Sequence, residues 1–183
     1  YLYEDPQRFT REVHKLCDEL EERIERREGA FPANTPRILI TGCPMAVPNW
    51  KVPYIVESEG AVIVGEESCV GERGNRNLTR DDGNSLEDLM EAILDRYFQI
   101  DCAIFTPNQE RTEHILDMAK RYRADGVIHY GLQFCQPYIQ ESFSAEKALR
   151  ENDIPALRLE TDYSQEDIGQ LQTRVEAFLE LLD

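Results

Sequence analysis

Along the chain, apolar residues first recur at helical spacing, with Phe9, Val13, Leu16, Leu20 and Ile24 marking one face. Asp5-Pro6 reads as a cap followed by a first-turn proline, and Gly29 and Pro32 stop the run. The pattern predicts one amphipathic helix from residue 6 to about residue 27. Cys17 lies beside Leu16 on that stripe and reads as a packed thiol. The period then changes. Residues 37–41, Arg-Ile-Leu-Ile-Thr, form a short β-rich run of the kind found in buried parallel strands, and it leads straight into Gly42-Cys43-Pro44. A helical segment at 53–59 stops at Gly60, and residues 61–64 predict a second strand. Residues 65–84, rich in Gly, Asn and charge, predict a long loop. Behind it, Ser85 and Asp88 have capping-box spacing, and Leu86, Leu89, Ile93 and Tyr97 give the next helix its apolar face.

Pro107-Asn108 opens a helix that runs to about residue 122, with Ile115 and Ala119 inward. Residues 126–130 predict a third strand, continuing towards Phe134, and Cys135 and Pro137 lead into a helix ending near residue 152. Residues 156–159 predict a fourth strand. Ser164 with Asp167 caps a last helix whose Ile168, Leu171, Val175, Phe178 and Leu182 face a core. Strands alternating with helices predict a parallel sheet with right-handed crossovers. The expected fold class is therefore α/β: a three-layer flavodoxin-like or Rossmann-like domain with roughly four parallel strands flanked by helices. Residues 1–36 read as a leading helix and linker, and 37–183 as the α/β domain.

Composition narrows the function. Of 183 residues, 20 are Lys or Arg and 36 Asp or Glu, a net charge of −16. That balance excludes a general phosphate-backbone binder, whose affinity rests on Lys and Arg, and it argues against docking on anionic membranes. Hydrophobic residues make up 41%, enough for a core, and no apolar run approaches the roughly 20 residues of a membrane span. The chain opens on Tyr1 rather than Met, which reads as a processed or excised piece of something larger, without a secretory leader.

Five cysteines, widely spaced and odd in number, argue against a disulfide scaffold and point to a reducing, cytoplasmic setting. Three of them follow predicted strands: Cys43 after the first, Cys69 after the second, Cys135 after the third. In an open parallel sheet, ligands gather beyond the carboxyl ends of the strands, so three thiols should emerge on one rim. Cys17 and Cys102 do not share that placement and read as buried bystanders. Turns before helices place N–H groups and positive helix ends near sulfur, favouring thiolate. From placement alone, a metal or iron–sulfur site stands level with a reactive or packed set of thiols. No CxxC knuckle occurs, which disfavours structural zinc, and cysteines dispersed over several strands fit a cubane better.

Four segments carry a resemblance: Ile40-Thr-Gly-Cys-Pro-Met45, Gly65-Glu-Glu-Ser-Cys-Val-Gly-Glu-Arg73, Gly126-Val-Ile-His-Tyr-Gly-Leu-Gln-Phe-Cys135 and Leu159-Glu-Thr-Asp-Tyr-Ser164. Together they resemble the 2-hydroxyacyl-CoA dehydratase/benzoyl-CoA reductase superfamily, nearest its double-cubane-cluster reductase branch. The likeness runs from about residue 37 to the C-terminus. It implies two related α/β domains with an iron–sulfur centre between them, of which this chain resembles the second. An upstream domain would supply further cysteine ligands, and the isolated domain is expected to be inactive. By matching motifs, Cys135 would be the ligand shared across the superfamily, and Cys43 and Cys69 the additional ligands of a double cubane. The cofactor implied is a [4Fe-4S] or double-cubane cluster.

The implied chemistry is ATP-driven electron transfer. A separate iron–sulfur ATPase activator docks and injects a low-potential electron, and the cluster reduces a difficult small substrate. In the dehydratases that substrate is a 2-hydroxyacyl-CoA that loses water through a ketyl radical; in benzoyl-CoA reductases it is an aromatic ring. Expected partners are the activator, a second subunit in a homo- or heterodimer, and a small-molecule or acyl-CoA substrate. No GxGxxG, Walker A or GxSxG motif occurs, so no nucleotide is expected to bind directly.

Other residues carry two readings each. Arg73 and Arg76 hold a substrate anion or neutralise cluster charge, or belong to a solvated loop. Ser68 donates to a cluster sulfur or stabilises its turn, and Tyr130 and Gln133 stand as donors supporting Cys135. Trp50, next to Lys51, shields the cluster or meets a partner, against a core aromatic. His129 reads as a satisfied buried histidine; His14 and His114 show no partner pattern. Two hypotheses of other classes stand beside the redox one. One is a cysteine-nucleophile enzyme on an acyl thioester, using Cys43 with His129 as its only candidate base. The other is a non-catalytic module recruiting a partner through its acidic surface.

Overall fold

The computed structural model describes residues 5–182, and the chain divides into two units, residues 1–35 and 36–183. The first unit holds helix α1 (Pro6–Glu25). The Asp5 side chain accepts the Arg8 N–H at 3.0 Å and Pro6 occupies the first turn, so the helix starts where its sequence signals place it. It ends slightly early, with Arg27 in the left-handed region (φ 55°). Its apolar stripe is exposed, and so is Cys17, against the expectation of a packed thiol. Among the described residues, its own unit offers no second element to cover that face.

The second unit is a three-layer α/β domain. Strands β1 (Arg37–Gly42), β2 (Val62–Glu67), β3 (Gly126–Leu132) and β4 (Ala156–Thr161) form a parallel sheet in the order β2-β1-β3-β4. Helices α2 (Lys51–Ser58) and α6 (Ile168–Glu180) pack together on one face, and α4 (Gln109–Arg121) and α5 (Gln136–Glu151) on the other. The alternation of strand side chains decides what goes where. Ile38, Ile40, Ile128, Tyr130 and Leu159 join α2 and α6, while Leu39 and Val127 meet Ile115, Met118, Ala119, Ala145 and Leu149 on the α4/α5 side. Each such aliphatic side chain contributes about 1.5–3 kcal/mol through burial.

Three elements of this unit depart from the sequence pattern. β2 begins one residue late and runs on through Gly65, Glu66 and Glu67, which pair with Leu39, Ile40 and Thr41 of β1. The predicted loop is thus partly strand, and a 3-10 turn at Glu72–Gly74 follows. Helix α3 (Leu86–Phe98) has its capping box, with Ser85 Oγ accepting the Asp88 N–H at 3.1 Å. Yet only Ala92 of α3 is buried, and Leu86, Leu89, Ile93 and Tyr97 are exposed. At α6, Asp167 occupies the cap position, but its carboxylate serves Lys51 and Thr161 instead of the helix backbone.

Candidate functional site

The strand order reverses direction between β1 and β3, the place where open α/β sheets bind ligands. Cys43 stands there, one residue past β1. Gly42 makes this possible: its φ is +120°, and a Cβ would lie 2.0 Å from the Tyr130 carbonyl oxygen. The close approach lets the Cys43 N–H donate to that oxygen at 2.8 Å. The Cys43 side chain is only 2% exposed, and its sulfur accepts the Leu132 N–H at 3.4 Å. Burial pushes the thiol up to about 12; the Leu132 hydrogen bond opposes this, and the Cys135 thiol, packed against the same core, adds to it. Cys135 caps α5 behind Phe134, which adopts φ 68°, and is half-buried. Cys43 and Cys135 are therefore neighbours on the rim.

Cys69 lies two residues past β2 and is exposed. Its turn is closed by Ser68 Oγ, which accepts from the Val70 and Gly71 N–H groups at 3.3 and 3.2 Å and donates to Glu66 at 2.5 Å. The Ser68 proton thus points to Glu66 and its oxygen serves the turn. Beneath Cys69 runs a buried charge network. Arg73 donates from Nη1 to Cys69 Sγ at 3.6 Å and to Tyr138 Oη at 3.0 Å, and from Nε to Glu67 Oε1 at 2.8 Å, with a second contact from Nη2. The other Glu67 oxygen accepts from Thr41 Oγ1 at 2.7 Å and Arg111 Nη2 at 2.9 Å. Arg111 also pairs with Glu141 and lies over the Tyr138 ring at 5.1 Å. Burial alone lowers the Arg73 pKa, but Glu67 and Tyr138 together outweigh it and hold the guanidinium charged. Burial raises the Glu141 carboxyl against the pull of Arg111.

The remaining candidates divide. Arg73 has its donors taken by protein groups, whereas Arg76 reaches Asp101 through Nη2 at 2.9 Å and keeps Nε and Nη1 buried without a partner among the described residues. Tyr130 is buried on the Cys43 side, with its hydroxyl accepting from Asn49 Nδ2 at 2.6 Å. Gln133 is exposed and lines a 400 Å³ pocket beyond β4, with Asp162, Glu166 and Gln170. His129 is buried; its Nε2 lies 3.1 Å from the Tyr138 carbonyl, so it carries the proton, and Nδ1 has no partner among the described residues. Trp50 is 58% exposed, not the core aromatic its sequence setting favoured, while Lys51 is buried and donates to the Asp162 and Ser164 carbonyls and to Asp167. Cys102 is half-buried.

Several site residues carried no sequence signal. Glu67, Arg111, Tyr138 and the Asp101–His114 pair, joined at 2.6 Å, lie far apart in the chain and meet only on the folded rim. Glu67 fell within the predicted loop, so the cue of a charge inside a strand, which needs a buried partner, became visible only once β2 was seen to run on to it. A cleft of 890 Å³ is lined by residues 103–109 and by α5, with Asn108, Gln140 and Glu141 among its walls.

The donor set suits a soft metal: sulfurs only, two of them receiving N–H hydrogen bonds as cluster-bound sulfurs do. The fit is partial. Among the described residues no group of three or more His, Cys, Asp or Glu side chains converges on one ion position. The domain is an α/β domain of the open-sheet class, with Cys43 and Cys135 following the two strands that flank its topological switch point. Residues 1–182 match the family described as "2-hydroxyglutaryl-CoA dehydratase, D-component", and the chain belongs to that family.

Its relatives come from the same superfamily. YjiM of Escherichia coli (strain K12), named as a dehydratase subunit, is 37% identical over 181 residues, covering 96% of this chain and 46% of the relative. The (R)-phenyllactyl-CoA dehydratase beta subunit of Clostridium sporogenes is 29% identical, over 98% of this chain and 46% of its own length. A benzoyl-CoA reductase subunit of Thauera aromatica is 24% identical, over 74% of this chain and 34% of its own. The chain spans about half the length of the first two of these relatives. No described helix is long and apolar enough to cross a membrane.

Proposed function

We propose that this chain is the cluster-bearing part of an iron–sulfur subunit that accepts low-potential electrons from an ATP-dependent activator and reduces a difficult small substrate. Cys43, Cys69 and Cys135 supply part of the ligand set, and a second domain or subunit supplies the rest. When bound, an iron–sulfur centre stores and passes on single electrons. The chain's own residues hold the sulfurs in place: Gly42 lets Cys43 reach the rim, the Leu132 N–H steadies its sulfur, and apolar packing around it excludes water. Metal binding would displace the Cys43 proton, which burial otherwise retains. The observation that carries the reading is the placement of three strand-end cysteines on one rim, with N–H donors aimed at two of the sulfurs.

Dehydration of a 2-hydroxyacyl-CoA is the second reading, favoured by relatives named as dehydratase beta subunits. Nucleophilic thioester chemistry at Cys43 has little support, since that thiol is buried and no imidazole–thiol hydrogen bond occurs among the described residues. The test is anaerobic reconstitution of the full-length polypeptide with iron and sulfide, followed by EPR. Bound iron should fall sharply when Cys43, Cys69 and Cys135 are all changed to Ser; unchanged iron content would defeat the proposal. Adding a reconstituted activator with ATP and following substrate reduction separates the two readings by product.

A further inference from the structure

We propose that Arg73 is a positioning residue for the Cys69 sulfur, fixed by Glu67 and joined through Tyr138 to the helix that begins at Cys135. The inference rests on the reading of Cys69 as a cluster ligand and adds the group that orients it. Arg73 sits directly beneath an exposed thiol, and its own side chain is 1% exposed. One edge of the guanidinium is taken by Glu67; Nη1 is left to serve Cys69 Sγ at 3.6 Å and Tyr138 Oη at 3.0 Å. Tyr138 lies in the first turn of α5, three residues after Cys135, so one guanidinium touches both cysteine-bearing segments.

The clamp is rigid. Glu67 is fully buried, is locked to Thr41 and Arg111 through its second oxygen, and sits at the end of β2 paired with Thr41 of β1. A merely structural Arg73 would need only its Glu67 edge. The N–H directed at sulfur is the feature that a simple ion pair does not require. A cationic N–H donor at a cluster-bound sulfur stabilises the more negative, reduced state and raises its potential.

The experiment uses full-length protein reconstituted anaerobically, with bound iron and the midpoint potential as readouts. R73K keeps the charge beside Glu67 but lacks the fork that spans Glu67 and Cys69 together. It should shift the potential to more negative values or loosen iron binding, with folding unchanged by circular dichroism. R73M should shift it further; if that variant fails to fold, R73K alone decides. K120M, on the exposed end of α4 at the opposite rim, removes the same charge away from the thiols and should leave the potential where it was. An R73K protein with unchanged iron and unchanged potential overturns the inference, as does an equal shift in K120M. Failure of the underlying reading looks different: with Arg73 intact, C69S would then retain full iron.

Discussion

Cys43 sits among apolar side chains, its sulfur met by a single backbone N–H, with Val52, Ile55, Ile128 and Leu159 in the same core. Cys69 instead lies exposed above a buried network of arginines and acids, Arg73, Arg76 and Arg111 with Glu67, Asp101 and Glu141. The two thiols occupy one rim of one sheet, yet their surroundings are built on different physics. At Cys43, removal of water holds the thiol neutral until something displaces its proton. Around Cys69, charge is balanced in pairs: burial pushes Asp101 up, but hydrogen bonds from His114 and Arg76 outweigh it and hold the carboxyl below its usual range. One end of the rim is dry and the other is braced.

The largest expected difference between the two ends is in thiol access. With Cys43 pushed up to about 12, its thiolate fraction at pH 8 is about 10⁻⁴, so iodoacetamide should leave metal-free Cys43 unmodified while exposed Cys69 labels. Mass spectrometry of the labelled peptides checks this; rapid labelling of Cys43 would break the comparison. Next in size is Glu67→Ala, which strands Arg73 and Arg111 without their shared carboxylate. The loss should be about 3–5 kcal/mol in urea unfolding, because breaking a buried pair leaves uncompensated charge.

His129 sharpens the picture through pH. Burial, with Arg111 nearby adding to it, lowers its pKa from 6.5 to about 4. The unfolded chain therefore takes up a proton below about pH 6.5, while the folded protein resists until about 4. Stability is full above that window and is lost as pH falls through it, by about 3 kcal/mol in all. Denaturation midpoints in His129→Gln should be flatter over the same range. The smallest effect is at the dry end. Tyr130→Phe removes the acceptor of the buried Asn49 amide and should cost about 1–2 kcal/mol, measured by thermal unfolding, with iron content unchanged.

Much of the fold was legible because its cues are local. The Asp5-Pro6 start, the Ser85/Asp88 capping box and the inward Ile115 and Ala119 all appear where short-range spacing places them. The misses share a cause: each depends on what lies across space. β2 runs past Val64 because β1 offers partners for Gly65 to Glu67. The apolar faces of α1 and α3 have helical spacing, but spacing does not say whether a surface is covered. Asp167 had the position of a cap, yet Lys51, more than a hundred residues away, holds its carboxylate.

By itself the sequence determined the α/β class, the order of its elements and the emergence of Cys43, Cys69 and Cys135 at strand ends, because hydrophobic period and turn chemistry act over a few residues. Only the tertiary structure decided the environment of each thiol. It brought Leu132 to Cys43 across 89 positions and Tyr138 to Arg73 across 65. Desolvation and charge pairing depend on which groups meet in the folded chain, and those meetings set how each sulfur behaves.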